Sequence, residues 1–333
     1  MGSGKSISIA MVGLMSGLFS MAPIVLAKDR DEHPLGKAAD ATFVAIDPAD
    51  ATSSFALDIN TAGKIVGRYV SSVDTNTHGF VRNPVGLFTI INYPDAVFTV
   101  AAGINSHDDI VGQYRLASDP QMARHGFILS RGTFTTIDFP GAVFTNALGV
   151  NRHGEIVGRY CTVMPCSSDK QHGFLLSRGS FTTIDLREAA GTAAWRINGR
   201  GEIVGGYLGK DSRSHVYRLR EGQFTTIDFP GAVDTALDVG KGGINSRGDI
   251  VSSYCVLKDP NTGKCLDEHA FLLSHGEFTT TMDFPATTLG SPGGQVTANF
   301  GINAPGDIVG TYNANGTDHG FLLKLEDRDE DED

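Results

Sequence analysis

Six histidines occupy equivalent places along the chain and are the residues best suited to chemistry. They are His78, His125, His172, His215, His269 and His319. Imidazoles that converge on one point can bind a metal ion or an acidic ligand. Zinc ligands lie within about 2.1 Å of the ion, whereas equivalent residues of neighbouring repeated sheets lie about 10 Å apart or more. We therefore expect structural hydrogen bonds at one rim of the fold, with no metal and no cofactor; a metal or ligand site is the alternative.

Acidic residues in the variable loops are the other candidates for acid–base catalysis. They are Asp74, Asp119, Asp169, Asp211, Asp259, Asp267, Glu268 and Asp318. Two carboxylates with a histidine base would suit a polysaccharide lyase or hydrolase. The sequence contains no Gly-x-Ser-x-Gly elbow, no His-Glu-x-x-His and no Asp-rich calcium loop. Since polar loops carry acidic residues in any case, the sequence favours a protein without catalytic residues.

One tryptophan breaks the regularity of the chain. Trp195 and Arg196 stand just before a turn where four of the other five copies have alanine or glycine at one or both places. In a repeated fold, function comes from what breaks the symmetry, and Trp and Arg are frequent anchors at binding sites. We predict a ligand surface on the rim between the third and sixth copies, formed by Trp195, Arg196, Asp259 and Glu268. A tryptophan that fills the centre of the fold is the alternative.

The four cysteines fall in two loops of variable sequence. Cys161 and Cys166 lie in the third copy, and Cys255 and Cys265 lie in the fifth. In an exported chain these spacings predict two local disulfides, Cys161–Cys166 and Cys255–Cys265. Metal-binding thiol pairs are the alternative, which the lack of a two-residue gap disfavours.

The elements that position these residues are six copies of one repeat. Each copy carries an asparagine in a turn, at Asn60, Asn105, Asn151, Asn198, Asn245 and Asn303. The copies follow one another at intervals of about 47 residues and fill residues 42–325. Each contains four short runs rich in Val, Ile, Phe, Tyr and Thr, which predict strands. Asn-x-x-Gly between the first two runs and Ser-Arg-Gly between the last two predict tight hairpins.

A four-stranded antiparallel unit at this period predicts an all-β fold, a six-bladed β-propeller. A three-residue hairpin cannot span the roughly 15 Å from an outer strand to the next inner strand, so the near-constant Pro-Gly-Ala link must connect the blades. The inner strand is then Gly-Ile-Asn, followed by Asp-Ile-Val-Gly, His-Gly-Phe and the outer Phe-Thr-Thr-Ile-Asp. Because the chain starts on an outer strand at 42–47, we expect this N-terminal strand to complete the last blade and close the ring. The alternatives are a blade step at the variable loop and a β-solenoid.

Repeated aromatic and acidic residues are interpreted as structural. Equivalent tyrosines are expected to pack between blades, at Tyr69, Tyr114, Tyr160, Tyr207, Tyr254 and Tyr312. The aspartates of Thr-Ile-Asp end a strand and are expected to cap turn amides, at Asp47, Asp138, Asp185, Asp228 and Asp283.

The two ends of the chain differ in composition from the repeats. Residues 1–27 carry one cation, an apolar run and a small-residue cleavage pattern, which predict a secretory signal peptide. An uncleaved membrane anchor is the alternative. Residues 28–41 are interpreted as a linker, and the acidic tail 326–333 is expected to be disordered. The net charge of −11 argues against a general nucleic-acid binder.

The repeat resembles a known family. Gly-Ile-Asn, Gly-Asp-Ile-Val-Gly and His-Gly/Ala-Phe together resemble the HAF-type extracellular repeat of bacterial secreted proteins. His125-Gly126-Phe127 and His269-Ala270-Phe271 carry the motif, and the fourth copy departs from it with His215-Val216-Tyr217. The resemblance implies an exported, propeller-like bacterial protein and brings no assigned activity with it.

These observations favour a secreted or periplasmic binding module that acts as a monomer. Near-identical repeats with variation in one set of loops suit the presentation of a binding surface to a glycan, a cell surface or a matrix protein. We expect no nucleic-acid partner and no membrane span once the signal is removed. An extracellular polysaccharide lyase or hydrolase, with its site on the variable-loop rim, is the alternative function.

Overall fold

The computed structural model describes residues 41–120, 122–235, 242–279 and 297–325. The predicted signal peptide, the linker up to residue 40 and the acidic tail lie outside these ranges, as do Asp283 and the insertion 286–296 of the sixth copy. All regular structure in the described ranges is β-strand. These ranges contain no helix long and apolar enough to cross a bilayer.

The strands follow the repeat. In chain order they are β1 (Ala41–Ile46), β2 (Ala51–Ile59), β3 (Ile65–Ser71), β4 (Thr77–Arg82), β5 (Phe88–Ile91), β6 (Ala96–Ile104), β7 (Ile110–Leu116), β8 (His125–Ser130), β9 (Thr133–Ile137), β10 (Phe144–Val150), β11 (Ile156–Cys161), β12 (His172–Ser177), β13 (Ser180–Ile184), β14 (Gly191–Ile197), β15 (Ile203–Leu208), β16 (Ser214–Arg220), β17 (Gln223–Ile227), β18 (Asp234–Thr235), β19 (Gly242–Ile244), β20 (Ile250–Lys258), β21 (Cys265–Ser274), β22 (Glu277–Thr279), β23 (Thr297–Ile302), β24 (Ile308–Ala314) and β25 (Thr317–Leu325). We number the repeats by their turn asparagine: β2–β5, β6–β9, β10–β13, β14–β17 and β18–β22 are repeats 1 to 5, and β23–β25 with β1 are repeat 6.

Hydrogen bonding groups these strands into five sheets. Three have four strands, in the orders β10-β11-β12-β13, β14-β15-β16-β17 and β1-β25-β24-β23. In the fifth repeat β18 and β19 both pair with β20, and repeats 1 and 2 share one eight-stranded sheet. The expectation of six separate four-stranded sheets is wrong at this point, because a parallel pair between Thr77 and Phe98 joins β4 to β6.

The strand order within the repeats agrees with the expected frame. The strand that leads into the turn asparagine is the first of its repeat, except in repeat 5, where the short β18 precedes it; in repeat 3 every residue of this strand, β10, is buried. The chain passes to a new sheet between β13 and β14, through the link that follows Thr-Ile-Asp. The N-terminal strand pairs antiparallel with β25, so that Ala41 lies opposite Leu325 and Ile46 opposite Gly320.

The turn asparagines form a ring through all six repeats. Asn151 accepts hydrogen bonds on Oδ1 from the amides of His153 and Glu155, at 2.9 and 3.1 Å, which holds the hairpin predicted from Asn-x-x-Gly. Its Nδ2 donates to the main-chain oxygen of Asn198 in the next repeat at 3.2 Å. The same bond occurs at every step, including the one from Asn303 back to Asn60 at 3.4 Å. This ring ties the inner strands together.

Aromatic rings pack between neighbouring repeats. Phe139, in the link after β9, stacks on Tyr160 of the next repeat with 3.6 Å between ring centroids. Tyr93 stacks in the same way on Tyr114, at 3.5 Å. Such ring pairs contribute beyond the apolar area that they bury. The expected packing role of these tyrosines is confirmed.

The link turns are capped by threonine rather than by the predicted aspartate. Thr145 accepts a hydrogen bond on Oγ1 from the amide of Phe139 at 3.1 Å, and Thr99 does so from Tyr93 at the same distance. The aspartates of the Thr-Ile-Asp motif mainly accept from histidine instead, as at Asp138 and His125. The threonine has this role because it lies in the next inner strand, close behind the turn.

Candidate functional site

The repeated histidines pair with carboxyl or amide oxygens at the end of the outer strand. The histidine Nδ1 lies 2.7 to 3.1 Å from its partner in the pairs His78–Asn92, His125–Asp138, His172–Asp185, His215–Asp228 and His319–Asp47. Each imidazole also lies against the tyrosine of its own repeat, as His215 does against Tyr207 at 4.8 Å between centroids. In these five pairs the histidine is hydrogen-bonded within its own repeat. Hydrogen bonding to Asp228, opposed by burial, raises the pKa of His215.

The histidines stay apart from one another. Each is bound within its own repeat, and no group of three metal-ligating side chains converges among the residues that the structure describes. The hydrogen bond of each histidine joins the third strand to the end of the fourth strand of one sheet, at the variable-loop rim. This role accounts for the recurrence of a histidine at that place.

The predicted rim surface is not assembled. Trp195 is only 2% exposed and belongs to a core cluster with Val100, Leu148 and Ile244 from three other repeats. A Cβ atom on Gly206 would lie 2.2 Å from the indole ring, so this glycine makes room for it. The prediction of a ligand-binding Trp195 is therefore wrong, and the packing alternative is right, because inner strands bring its ring to the centre.

Arg196 is also buried at the centre of the fold. Its guanidinium donates to the main-chain oxygens of Leu57, Ala102, Leu148 and Trp195, at 2.6, 3.1, 2.8 and 2.9 Å. Its Nε lies 3.5 Å from Oδ1 of Asp58, a carboxylate that also accepts from the amides of Ile59 and Ile104. Burial raises the pKa of Asp58, although the charge of Arg196 opposes this. Arg196 thus connects the inner strands of repeats 1 to 4 and is not available to a ligand.

The two acidic residues of the predicted surface lie apart from this pair. Asp259 is in the turn between β20 and β21, where it accepts from the amides of Asn261 and Thr262, and these bonds lower its pKa. Glu268 is 4% exposed and accepts from Ser253 Oγ at 2.7 Å.

Both predicted disulfides are present. Cys161 and Cys166 are bonded with 5.7 Å between Cα atoms, and Cys255 and Cys265 with 5.9 Å. The first holds the end of β11 to the loop that follows it, and the second joins β20 to β21. Among the described residues no cysteine is free.

Reduction of these bonds should loosen two loops without unfolding the ring. The bonds close short loops, with sequence separations of 5 and 10, so each contributes about 2–3 kcal/mol at most. We expect a lower melting temperature and a transition that stays cooperative, measured by calorimetry with and without a mild reductant. Loss of the cooperative transition on reduction would contradict this. The double variant Cys161→Ala/Cys166→Ala should reproduce only part of the shift.

An open groove lies on the opposite rim, between repeats 4 and 5. Its volume is about 670 Å³, within the roughly 300–1,000 Å³ typical of ligand sites. On one side it is bounded by β17 and the end of β16. On the other side it is bounded by the two tight hairpins of repeat 5, which join β19 to β20 and β21 to β22. The residues that line it include Arg218, Arg220, Glu221, Gln223, Thr225, Arg247, Gly248, Asp249 and His275. We call this the 4–5 groove.

One substitution in the repeat explains why this boundary is open. The residue after the aromatic of the third strand is aliphatic in the other repeats, where it packs in core clusters, as Val81, Ile128, Leu175, Leu272 and Leu322. In repeat 4 it is Arg218, which pairs with Thr225 as Ile128 pairs with Thr135 and Leu175 with Thr182. A guanidinium cannot replace an aliphatic side chain between two sheets without polar partners. The boundary between repeats 4 and 5 is therefore polar at the end where Arg218 lies.

Glu202 is the centre of an arginine cluster at one end of the groove. It is 3% exposed, and Oε1 accepts from Arg218 Nη2 while Oε2 accepts from Arg200 Nη2, both at 2.7 Å. Arg220 Nε lies 3.5 Å from Oε1. Burial opposes ionisation of Glu202, but hydrogen bonds from Arg200, Asn198 and Arg218 outweigh it and lower the pKa to about 2. Glu202 therefore stays ionised at any pH above about 3.

Sequence reasoning missed this cluster, although a signal for it was present. In repeats 2, 3 and 5 the acid equivalent to Glu202 accepts from a serine, as Asp109 does from Ser130 at 2.5 Å. In repeat 4 that serine is Arg220, and the aliphatic residue two places earlier is Arg218. A comparison of the third strand across the six copies would have found both departures.

Comparisons with known proteins bear on the fold. No protein-family model matches the chain. No curated protein matches it either. The fucose-specific lectin of Aleuria aurantia has a similar structure, with a TM-score of 0.51 and 11% sequence identity over 84% of this chain and 97% of the lectin.

The chain is a β-propeller. The same lectin in complex with alpha-methyl-L-fucoside gives a TM-score of 0.52, again at 11% identity, over 84% of this chain and 95% of that one. The β-propeller domain of the trilobed protease from Pyrococcus furiosus is similar at 13% identity, with a TM-score of 0.49 over 84% of this chain and 85% of that one. At 11% identity the likeness to the lectin concerns the fold alone.

Proposed function

We propose that the protein is an exported, non-catalytic propeller that binds a carbohydrate in the 4–5 groove. The observation that carries the proposal is the replacement of an aliphatic residue by Arg218, which makes one boundary between repeats polar and open. The two disulfides are compatible with an extracellular or periplasmic location. A lectin of the same fold supports carbohydrate as the class of ligand.

We further propose six blades, closed by the N-terminal strand, in a monomer of the HAF-repeat type. Six turn asparagines joined in a ring support the count. The eight-stranded sheet then consists of two blades that share one parallel pair, and β1 is the outer strand of the sixth blade. The recurrent His-Gly/Ala-Phe motif supports the family resemblance.

The carboxylates of the groove support binding rather than catalysis. A general acid needs a pKa close to the working pH, whereas the pKa of Glu202 is about 2. Burial opposes ionisation of Asp249, but hydrogen bonds from Ser274, Asn245 and Arg247 lower its pKa. Both groups are held as ionised partners of arginine and serve to orient the guanidinium groups.

Arg218→Leu should weaken carbohydrate binding while the fold remains intact. The change restores the aliphatic type found at this place in the other repeats, so that the boundary can pack as the others do. We expect a fall in affinity of at least about tenfold, which is the loss of one charge-assisted hydrogen bond. A glycan array followed by calorimetric titration of the best ligand measures it, using the protein from residue 28 onward.

Arg187→Leu is the matched control. Arg187 is an exposed arginine in the link after β13, outside the groove, and its loss makes the same change in charge. The control should bind as the wild type does. The proposal fails if the wild type binds no glycan, or if Arg218→Leu binds as well as the control.

A further inference from the structure

The charge of the 4–5 groove differs in sign from that of the whole protein. Three guanidinium groups, those of Arg200, Arg218 and Arg220, surround the single carboxylate of Glu202. Glu221, the other acid nearby, is 83% exposed and its Oε1 lies 3.6 Å from Arg220 Nε. Arg247 Nε lies 2.8 Å from Oδ2 of Asp249, so the charges of these two side chains cancel. The groove thus keeps a positive charge within a chain whose net charge is −11.

One donor of this cluster is not used by the protein. Nε of Arg218 is buried and has no hydrogen-bond partner among the described atoms, although its Nη2 is bonded to Glu202. A buried donor without an acceptor is unfavourable by about 1–3 kcal/mol. Because this Nε is inaccessible to solvent, an anionic ligand can meet Arg218 only through the rest of its side chain, which is 30% exposed. The terminal nitrogens of a guanidinium match the oxygens of a carboxylate or a sulfate.

Gly248 keeps open the space in front of the arginine cluster. Its φ is +95°, and a Cβ atom there would lie 2.8 Å from Arg200 Nη2 and 3.4 Å from Arg218 Nη2. The hairpin of repeat 5 therefore approaches the arginines with main chain alone. A larger residue would press on two guanidinium groups and fill this end of the groove.

We propose that the 4–5 groove selects an acidic saccharide, whose sulfate or carboxylate group binds Arg218 beside Arg220 and Arg200. The inference rests on the proposed carbohydrate function and specifies the class of sugar. Glu202 is a positioning residue, because it orients the three guanidinium groups without contacting the ligand. Since the rest of the chain is acidic, a polyanion is repelled elsewhere and attracted here.

Three polymers with one backbone test the class of sugar. Dextran is neutral, carboxymethyl dextran carries carboxylates, and dextran sulfate carries sulfate esters. We expect the protein to bind at least one charged polymer at least tenfold more tightly than dextran, and the preferred one identifies the anionic group. Arg218→Gln should remove this preference, whereas Arg187→Gln should keep it. Binding should weaken as salt rises, because the charges are partly exposed.

The outcomes separate the two proposals. If the wild type binds dextran or another neutral glycan and Arg218→Leu does not, the groove binds sugar and the proposed preference for an acidic saccharide is wrong. If charged polymers bind equally to the wild type and Arg218→Gln, the site is elsewhere and the inference fails. Poly-glutamate that binds as tightly as carboxymethyl dextran would overturn the choice of a saccharide.

Discussion

Replacing Arg196 with methionine should lower the free energy of unfolding by about 3–5 kcal/mol, the usual loss when one partner of a buried ion pair is removed. The guanidinium donates hydrogen bonds to main-chain oxygens from the inner strands of four repeats, and its Nε lies 3.5 Å from Oδ1 of Asp58. Without it, Asp58 is a buried carboxylate without a counter-charge. Denaturant unfolding of the wild type and Arg196→Met, followed by circular dichroism, measures the difference.

The free energy of unfolding that Arg196→Met loses should also depend on pH. Burial raises the pKa of Asp58 above its value in the unfolded chain, and Arg196 opposes that rise. In Arg196→Met the folded state therefore binds a proton more strongly, and stability falls as the pH rises from about 4 through the folded pKa. We expect Arg196→Met to be closer to the wild type at pH 4.5 than at pH 7.5.

A second variant separates the ion pair from the packing. In Arg196→Met/Asp58→Asn the buried charge is absent, so the double variant should be less destabilised than the sum of the two single variants. Arg187→Met is the control for loss of one exposed positive charge and should unfold like the wild type. Additive single effects, or no effect of Arg196→Met, would show that Arg196 does not stabilise the centre of the propeller.

Deleting β1 should remove cooperative unfolding and promote aggregation. The strand pairs along its length with β25, Ile46 is fully buried, and its main-chain oxygen accepts from Ser54 Oγ at 2.9 Å. Burial of Ile46 and of the partly buried Phe43 accounts for about 3 kcal/mol or more. Removal also leaves β25 as an unpaired edge, which is a template for association between chains. Calorimetry and size-exclusion chromatography of a chain that begins at residue 48 measure both effects.

The control is a chain that begins at residue 41. It keeps the whole of β1 and lacks only the segment before it, so it should melt as the longer chain does. A soluble, monomeric chain from residue 48 with an unchanged melting temperature would falsify the closing role of β1. Aggregation of both truncations would assign a role to the residues before 41 instead.

The candidate site shows where the sequence was informative and where it was not. The disulfides and the asparagine hairpins were predictable because each joins residues close together in the chain, where spacing decides geometry. Four of the histidine pairs bridge 13 or 14 residues across two strands, and His319–Asp47 bridges 272. Their partners were therefore not predicted, and the aspartates were assigned to turn capping. Trp195 and Arg196 were recognised as unusual, but their position in the sequence does not show whether their side chains lie in the central core or on a rim.

By itself, the sequence determined the repeat, the four-strand order and the hairpins. These depend on the alternation of apolar residues and on turn residues with φ values that few others adopt, and both are local properties. Only the tertiary structure decided that Arg196 reaches Asp58, because those residues are far apart in the chain and meet only when the inner strands surround one axis. It also decided that Arg218 opens a groove, because the side chain of a third strand meets the next repeat only after the sheets have packed side by side.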